Sequence, residues 1–170
     1  MGGSNRTVAK GMPYTRTEYM HGSPPSKISK FTMGESPTDF TCRVALVSGA
    51  KVQITHSALE AARVAANKTI ADKLGDKGYS LKINVYPHVI LREHKFLGVA
   101  GADRLSEGMR HAFGKAVGRA AIVREGQKIL SIATTPSSVE LAKEAMRRAS
   151  SKLPASCKIV VEETGGDDTP

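Results

Sequence analysis

Tryptophan is absent from this 170-residue chain, and phenylalanine and tyrosine contribute only four residues each. Its core must therefore rest on aliphatic side chains and alanine. Cysteine is scarce too: Cys42 and Cys157 stand 115 positions apart, with no CxxC spacing. That is too sparse for a secreted disulfide scaffold and points to a reducing cytosol. Both lie in apolar, strand-like stretches and read as small buried hydrophobes. No apolar run approaches the roughly 18 residues a membrane helix needs. The start, Met1-Gly2-Gly3-Ser4-Asn5-Arg6, lacks the apolar stretch of a secretory signal.

Carboxylates are the other shortage. Lys and Arg number 25 against 16 Asp and Glu, a net charge of +9. Residues 1–158 hold 25 bases against 12 acids, or +13. The last twelve residues carry Glu162, Glu163, Asp167 and Asp168 without a base. Five of the eleven arginines (Arg92, Arg104, Arg110, Arg119 and Arg124) fall within 35 residues. Such an excess argues for a polyanionic partner, and Arg supplies the planar fork that pairs with phosphate and stacks on bases. At 40% hydrophobic residues the chain is otherwise of ordinary globular composition, long enough for one domain and an arm.

Residues 1–40 read as that arm. Pro13, Pro24, Pro25 and Pro37, with five glycines, leave no sustained hydrophobic period. Tyr14, Tyr19 and Phe31 interleave with Arg16, Lys27 and Lys30, a pattern suited to lying along RNA. From residue 41 the pattern turns globular. Cys42–Val47 and Lys51–Thr55 read as strands, and Ser57-Ala58-Leu59-Glu60 matches a capping box. Leu59, Ala62, Ala66, Ile70 and Leu74 follow at helical spacing, with Arg63 on another face. Strands at 81–85 and 89–91 complete the first half. The second half echoes it, with strands at 120–123 and 129–132, a helix opening near Thr135–Ser137, and a final strand from Cys157. The echo predicts one sheet covered by two helices on one face.

The stretch 98–118 breaks this pattern. Five glycines in 21 residues are a poor basis for helix or strand, so it reads as a long functional loop. Its cargo is Arg104, Arg110, His111 and Lys115, preceded by Arg92 and Lys95 and followed by Arg119. Glycine permits close backbone approach, and the bases supply phosphate contacts. Enzyme readings fail here. Between Gly108 and Gly114-Lys115 lie five residues rather than the four of a phosphate-binding loop, and Ala116 follows where a hydroxyl is needed. His21, His56, His88, His94 and His111 are scattered, and none forms a zinc spacing. Asp103 and Glu107 beside Arg104 read as a local ion pair. No cofactor is expected.

The motifs Arg92-Glu93-His94-Lys95, Ala100-Gly101-Ala102-Asp103-Arg104-Leu105-Ser106, Gly108-Met109-Arg110 and Ala112-Phe113-Gly114-Lys115 closely resemble a universal family of large-subunit ribosomal proteins, called protein sixteen in bacteria and protein ten in archaea and eukaryotes. Pro13-Tyr14-Thr15-Arg16 and Gly22-Ser23-Pro24-Pro25-Ser26-Lys27-Ile28 resemble its archaeal-type arm, and Ser57–Arg63 resembles the start of its first helix. The likeness spans roughly residues 13–163. Gly2–Ala9 departs from the usual Arg- and Tyr-containing start, and Arg119 replaces a small hydroxyl residue.

The resemblance implies a non-catalytic α+β fold of α/β hammerhead type. It implies seating on large-subunit ribosomal RNA, near the 5S-type RNA and neighbouring ribosomal proteins, in the cleft that receives aminoacyl-tRNA. The resulting expectation is a cytoplasmic ribosomal protein with an arm (1–40), a mixed or antiparallel two-helix sandwich (41–163) and an acidic tail (164–170). Lys10, Arg16, Lys27, Lys30, Arg63, Arg92, Lys95, Arg119 and Arg124 are the expected RNA contacts. Gly101, Arg104, Gly108, Arg110, His111 and Lys115 form the expected tRNA-proximal loop. The rivals are an extra-ribosomal RNA-binding regulator and an unrelated nucleotide-processing enzyme.

Overall fold

The computed structural model describes residues 12–36, 40–94 and 109–163. Eight strands and two helices follow in the order β1 (Thr32–Gly34), β2 (Cys42–Ser48), β3 (Val52–Thr55), α1 (His56–Leu74), β4 (Tyr79–Ile83), β5 (Val89–Glu93), β6 (Lys115–Val123), β7 (Lys128–Thr134), α2 (Val139–Ser150) and β8 (Cys157–Glu163). The α+β class, with two helices and antiparallel strands, is as expected.

The single sheet is not. The strands divide into a five-stranded sheet, ordered β1-β4-β7-β2-β8, and a three-stranded one, ordered β3-β6-β5. Every pairing is antiparallel. The sequence echo holds along the chain but not in space, because β2 and β3 part company, as do β6 and β7. The two crossings are tied together: Gly126 N–H donates to the Ser48 carbonyl at 2.9 Å, and Ser48 N–H to the Gln127 carbonyl at 3.0 Å. Periodicity gives each strand a buried face but does not say which neighbour completes it.

The helices pack on each other and on the inner face of the large sheet, and α1 also touches β3 and β6. The stripe Leu59, Ala62, Ala66 and Ile70 is buried, facing Ala142, Ala145, Met146 and Ala149 of α2. Alanines at the contact let the two helices approach closely and leave the volume to Val44, Leu46, Leu81 and Ile132 from the sheet. Among the described residues Tyr79 is the one fully buried aromatic of the Phe and Tyr type, and its hydroxyl donates to Asn67 Oδ1 at 2.6 Å, which satisfies its polar tip. Cys42 is buried; Cys157 is half-buried against the core.

Two local readings change. The cap of α1 is Thr55, whose side chain accepts from Ala58 N–H, rather than Ser57. Glu60 turns to Arg63 and Ser29 instead of reaching back to close a capping box. The stretch 115–118 belongs to β6 rather than to a loop. The register slips between Leu91 and Arg92, leaving Val117 as an extra residue. A bulge of this kind accommodates a glycine-containing strand.

The arm is also more engaged with the body than its composition suggests. Tyr14 to Glu35 runs along the body: Ile90 N–H donates to the Tyr14 carbonyl, Ile83 N–H to the Phe31 carbonyl, and Glu35 N–H to the Tyr79 carbonyl. Ile28 is only 8% exposed and joins the core. Strand β1 adds itself to β4. A three-residue strand offers too few alternations to be seen as a pattern.

Candidate nucleic-acid interface

The β5–β6 hairpin carries the densest functional cluster. Arg92, near the end of β5, lays its guanidinium 3.5 Å from the centroid of the Phe113 ring and 4.3 Å from that of Tyr14. The two rings meet edge to face at 5.7 Å, and Arg92 Nη1 donates to the Phe113 carbonyl. Tertiary folding thus joins the arm, β5 and the end of the connecting loop around one cation. The turn closes with Gly114 N–H donating to the His111 carbonyl at 3.1 Å. Gly114 takes a φ of +73°, and a Cβ there would sit 2.6 Å from the Glu93 carbonyl oxygen. Only glycine fits.

A second cluster holds the middle of the arm. Arg119 on β6 donates from Nε to the Pro24 carbonyl at 3.0 Å. Beside it, buried His56 accepts from Lys27 N–H at Nδ1, 3.3 Å away. Burial, then the charges of Lys27 and Arg119, holds the His56 pKa below its ordinary value.

A third is built around Arg63. Its fork meets Glu60 at 2.5 and 2.9 Å, and Nη2 also donates to Ser29 Oγ at 3.1 Å. The hydrogen bond from Arg63 depresses the Glu60 pKa, and the same contact raises that of Arg63.

The family profile described as Ribosomal protein L16p/L10e matches residues 9–160.

The chain belongs to the L16p/L10e family.

Relatives named Large ribosomal subunit protein uL16 agree. That of Archaeoglobus fulgidus is 53% identical over 151 residues, covering 89% of this chain and 87% of its own length. That of Staphylothermus marinus is 53% identical over 154 residues, with 91% and 88% covered. One from Methanococcus maripaludis is 50% identical over 155 residues, again with 91% and 88% covered. The resemblance drawn from residues 92–115 is borne out: this is a large-subunit ribosomal protein of archaeal type, in a family of ribosomal proteins rather than enzymes.

For an L16p/L10e protein, the distribution of unneutralised charge is the informative feature. Some bases of α1 and α2 have carboxylate partners: Arg148 with Glu144, Lys143 with Glu140, and Lys73 with Glu144, whereas exposed Arg147 of α2 forms no salt bridge among the described residues. Arg16, Lys27, Lys30, Arg110, Lys115, Arg119 and Arg124 form no salt bridge among the described residues. All are exposed except half-buried Arg119. His111 is exposed at the turn, with a left-handed φ of 57°. Arg63 is placed otherwise than expected: buried and committed to Glu60, it clamps the arm. Arg92 is a pillar under two rings rather than a free cation. Lys10, Lys95, Gly101, Arg104 and Gly108 lie outside the described residues.

Sequence reasoning passed over the outer face of the large sheet. Arg43, Lys82 and Lys128 line a hollow of about 700 Å³ there with Ser80, Asn84 and Ser131. Lys128 is paired with Glu162 at 2.7 Å. The alternation of buried Leu81 and Ile83 with exposed Lys82 and Asn84 was the available signal. No helix among the described residues is long and apolar enough to cross a membrane.

Proposed function

We propose that the protein binds large-subunit ribosomal RNA through its arm and β5–β6 hairpin, and that residues 98–118, the last four of them in β6, help position tRNA near the peptidyl-transferase region. The observation that carries this reading is the chemistry of the arm and hairpin: Arg16, Lys27, Lys30, Arg110, Lys115 and Arg124 are exposed and form no salt bridge among the described residues. Unpaired Arg and Lys are what a phosphate backbone requires. Arg16, Lys27, Lys30, Arg119 and Arg124 act as phosphate contacts, together with Lys10 and Lys95. Gly101, Arg104, Gly108, Arg110, His111 and Lys115 approach the tRNA. Arg92 and Arg63 act indirectly, by holding Tyr14 and Ser29.

On this reading the body is of the α/β hammerhead type. Its neighbours are other ribosomal proteins and the 5S-type RNA, and it works in the cytoplasm as part of the ribosome. Residues 1–40 serve as the arm, 41–163 as the docking body and 164–170 as an acidic tail. The test is affinity for a large-subunit ribosomal RNA fragment against salt concentration. Contacts with 6–10 phosphates weaken binding roughly 10³–10⁵-fold between 50 and 200 mM salt. Removing Lys30 and Arg124 together should lower the log–log slope by about 2. A salt-independent affinity would refute the reading.

A further inference from the structure

A cleft of about 530 Å³ opens between the arm and the start of β6. Tyr19 and Phe113 are on its walls, with His21, Gly22, Gly114 and Lys115. The two rings are 69% and 55% exposed. Each is attended by an arginine. Arg92 lies over Phe113 at 3.5 Å from the centroid, and Arg16 over Tyr19 at 5.9 Å. Arg92 and the edge-to-face contact with Tyr14 hold the Phe113 ring in place, and the residue nonetheless stays more than half exposed. Gly22 contributes backbone without a side chain, and nothing lies within 4 Å of where its Cβ would stand, which leaves room for a flat ligand. Lys115 is exposed at the same cleft.

From this geometry we propose that the cleft is a stacking site for an unpaired nucleobase, with Lys115 and Arg16 beside its phosphates. The proposal rests on the RNA-binding reading above and adds what that reading lacks: a contact with a base rather than with the sugar–phosphate chain. A guanidinium-backed ring offers a pre-set π surface. Aromatic stacking of bases that have left a helix is the usual way proteins engage single-stranded RNA. The base belongs either to ribosomal RNA or to tRNA, and the chemistry is the same for both.

The test compares an adenylate hexamer with an abasic ribose-phosphate hexamer of equal charge, each titrated into the full-length protein. The adenylate hexamer should bind roughly 5- to 150-fold more tightly, the worth of one stacked base. Phe113→Leu and Tyr19→Ala should remove that preference while leaving abasic binding intact, and Tyr19→Phe should retain it. Equal affinity of the two hexamers for the unmodified protein overturns the proposal. So does a preference that survives both Phe113→Leu and Tyr19→Ala. If ribosomal RNA still binds with steep salt dependence in that case, only the cleft assignment falls; if it does not bind, the RNA reading falls as well. Photocrosslinking from Tyr19→p-benzoylphenylalanine in assembled large subunits, with and without bound aminoacyl-tRNA, identifies the source. A crosslink to ribosomal RNA or to tRNA supports the site, and crosslinks to protein alone refute it.

Discussion

Arg63 and Glu60, one turn apart on α1, form a forked ion pair that both partners extend to the arm: Ser29 donates to Glu60 from its N–H and Oγ and accepts from Arg63 Nη2, while Arg63 Nη1 donates to Met33 Sδ. An ion pair that looks local in sequence is thus a fastening between the helix and a segment about 30 residues earlier. Its burial makes the geometry matter more than it would at the surface.

Glu60→Gln should therefore destabilise the isolated protein by about 1–3 kcal/mol, the cost of losing a charged hydrogen-bond partner. The sign with pH follows from the lowered pKa of Glu60. Its contribution is complete above the ordinary value of 4.5 and is lost as pH falls through the depressed native value. Urea unfolding at pH 6 and pH 3 should show a smaller pH difference in Glu60→Gln than in the unmodified chain. An unchanged difference would show that Glu60 is not the group responsible.

His56 gives a second pH response, at higher pH. The Lys27 amide needs the unprotonated Nδ1 of His56, and the neighbouring positive charges oppose protonation. Because the native pKa is lowered, stability is level above 6.5 and declines as pH drops from 6.5 towards the native value. The His56 ring resonance, followed by NMR, should titrate with a midpoint below 6.5. A midpoint above it would contradict the arrangement.

Ile28 should anchor the arm. Ile28→Ala removes a core side chain and should cost about 2–4 kcal/mol. Limited proteolysis of the free protein should then cut the segment around residues 24–31 faster in the variant than in the unmodified chain. Equal cleavage of both would mean the arm is not held there.

Gly114→Ala and Gly126→Ala make a matched pair. Both glycines have φ above +70°, but an added Cβ meets the Glu93 carbonyl at 2.6 Å only in the first. Gly126→Ala should cost about 1–2 kcal/mol, the left-handed penalty alone. The Gly114 substitution adds a backbone clash and should cost clearly more. Denaturant midpoints of the two variants decide; similar shifts would remove the steric claim.

Shortening 95–108 to half its length while keeping β6 whole should change closure entropy by only ~0.6 kcal/mol. The melting temperature of the isolated protein should barely move. Large subunits carrying the shortened chain should bind aminoacyl-tRNA poorly. Normal tRNA binding and peptide synthesis would count against the role proposed for the loop.

Most elements were readable because a period-2 or period-3.6 pattern needs only a few consecutive side chains. Leu59, Ala62, Ala66 and Ile70 announce α1 in this way, and the Leu81, Ile83 alternation announces β4. The sheet assignment was not readable, since β2 looks the same whether it pairs with β3 or lies between β7 and β8. Site residues divide likewise. Family motifs marked the hairpin, yet composition cannot distinguish a solvated arginine from one locked to a carboxylate. In sequence Arg63 therefore looks like Arg16, although the fold turns it inward. The Tyr19–Phe113 cleft joins residues 94 positions apart, and only tertiary structure could reveal it.

The central position of β2 also bears on synthesis. Both its partners, β7 and β8, come from the last third of the chain. About 80 residues separate Ser48 from Lys128, so a nascent β2 waits roughly 4–16 s at 5–20 residues per second before either edge can be covered. During that interval Val44 and Leu46 have no sheet around them. Topology thus concentrates the aggregation hazard in newly made chains, and closure of the large sheet is among the last events of folding.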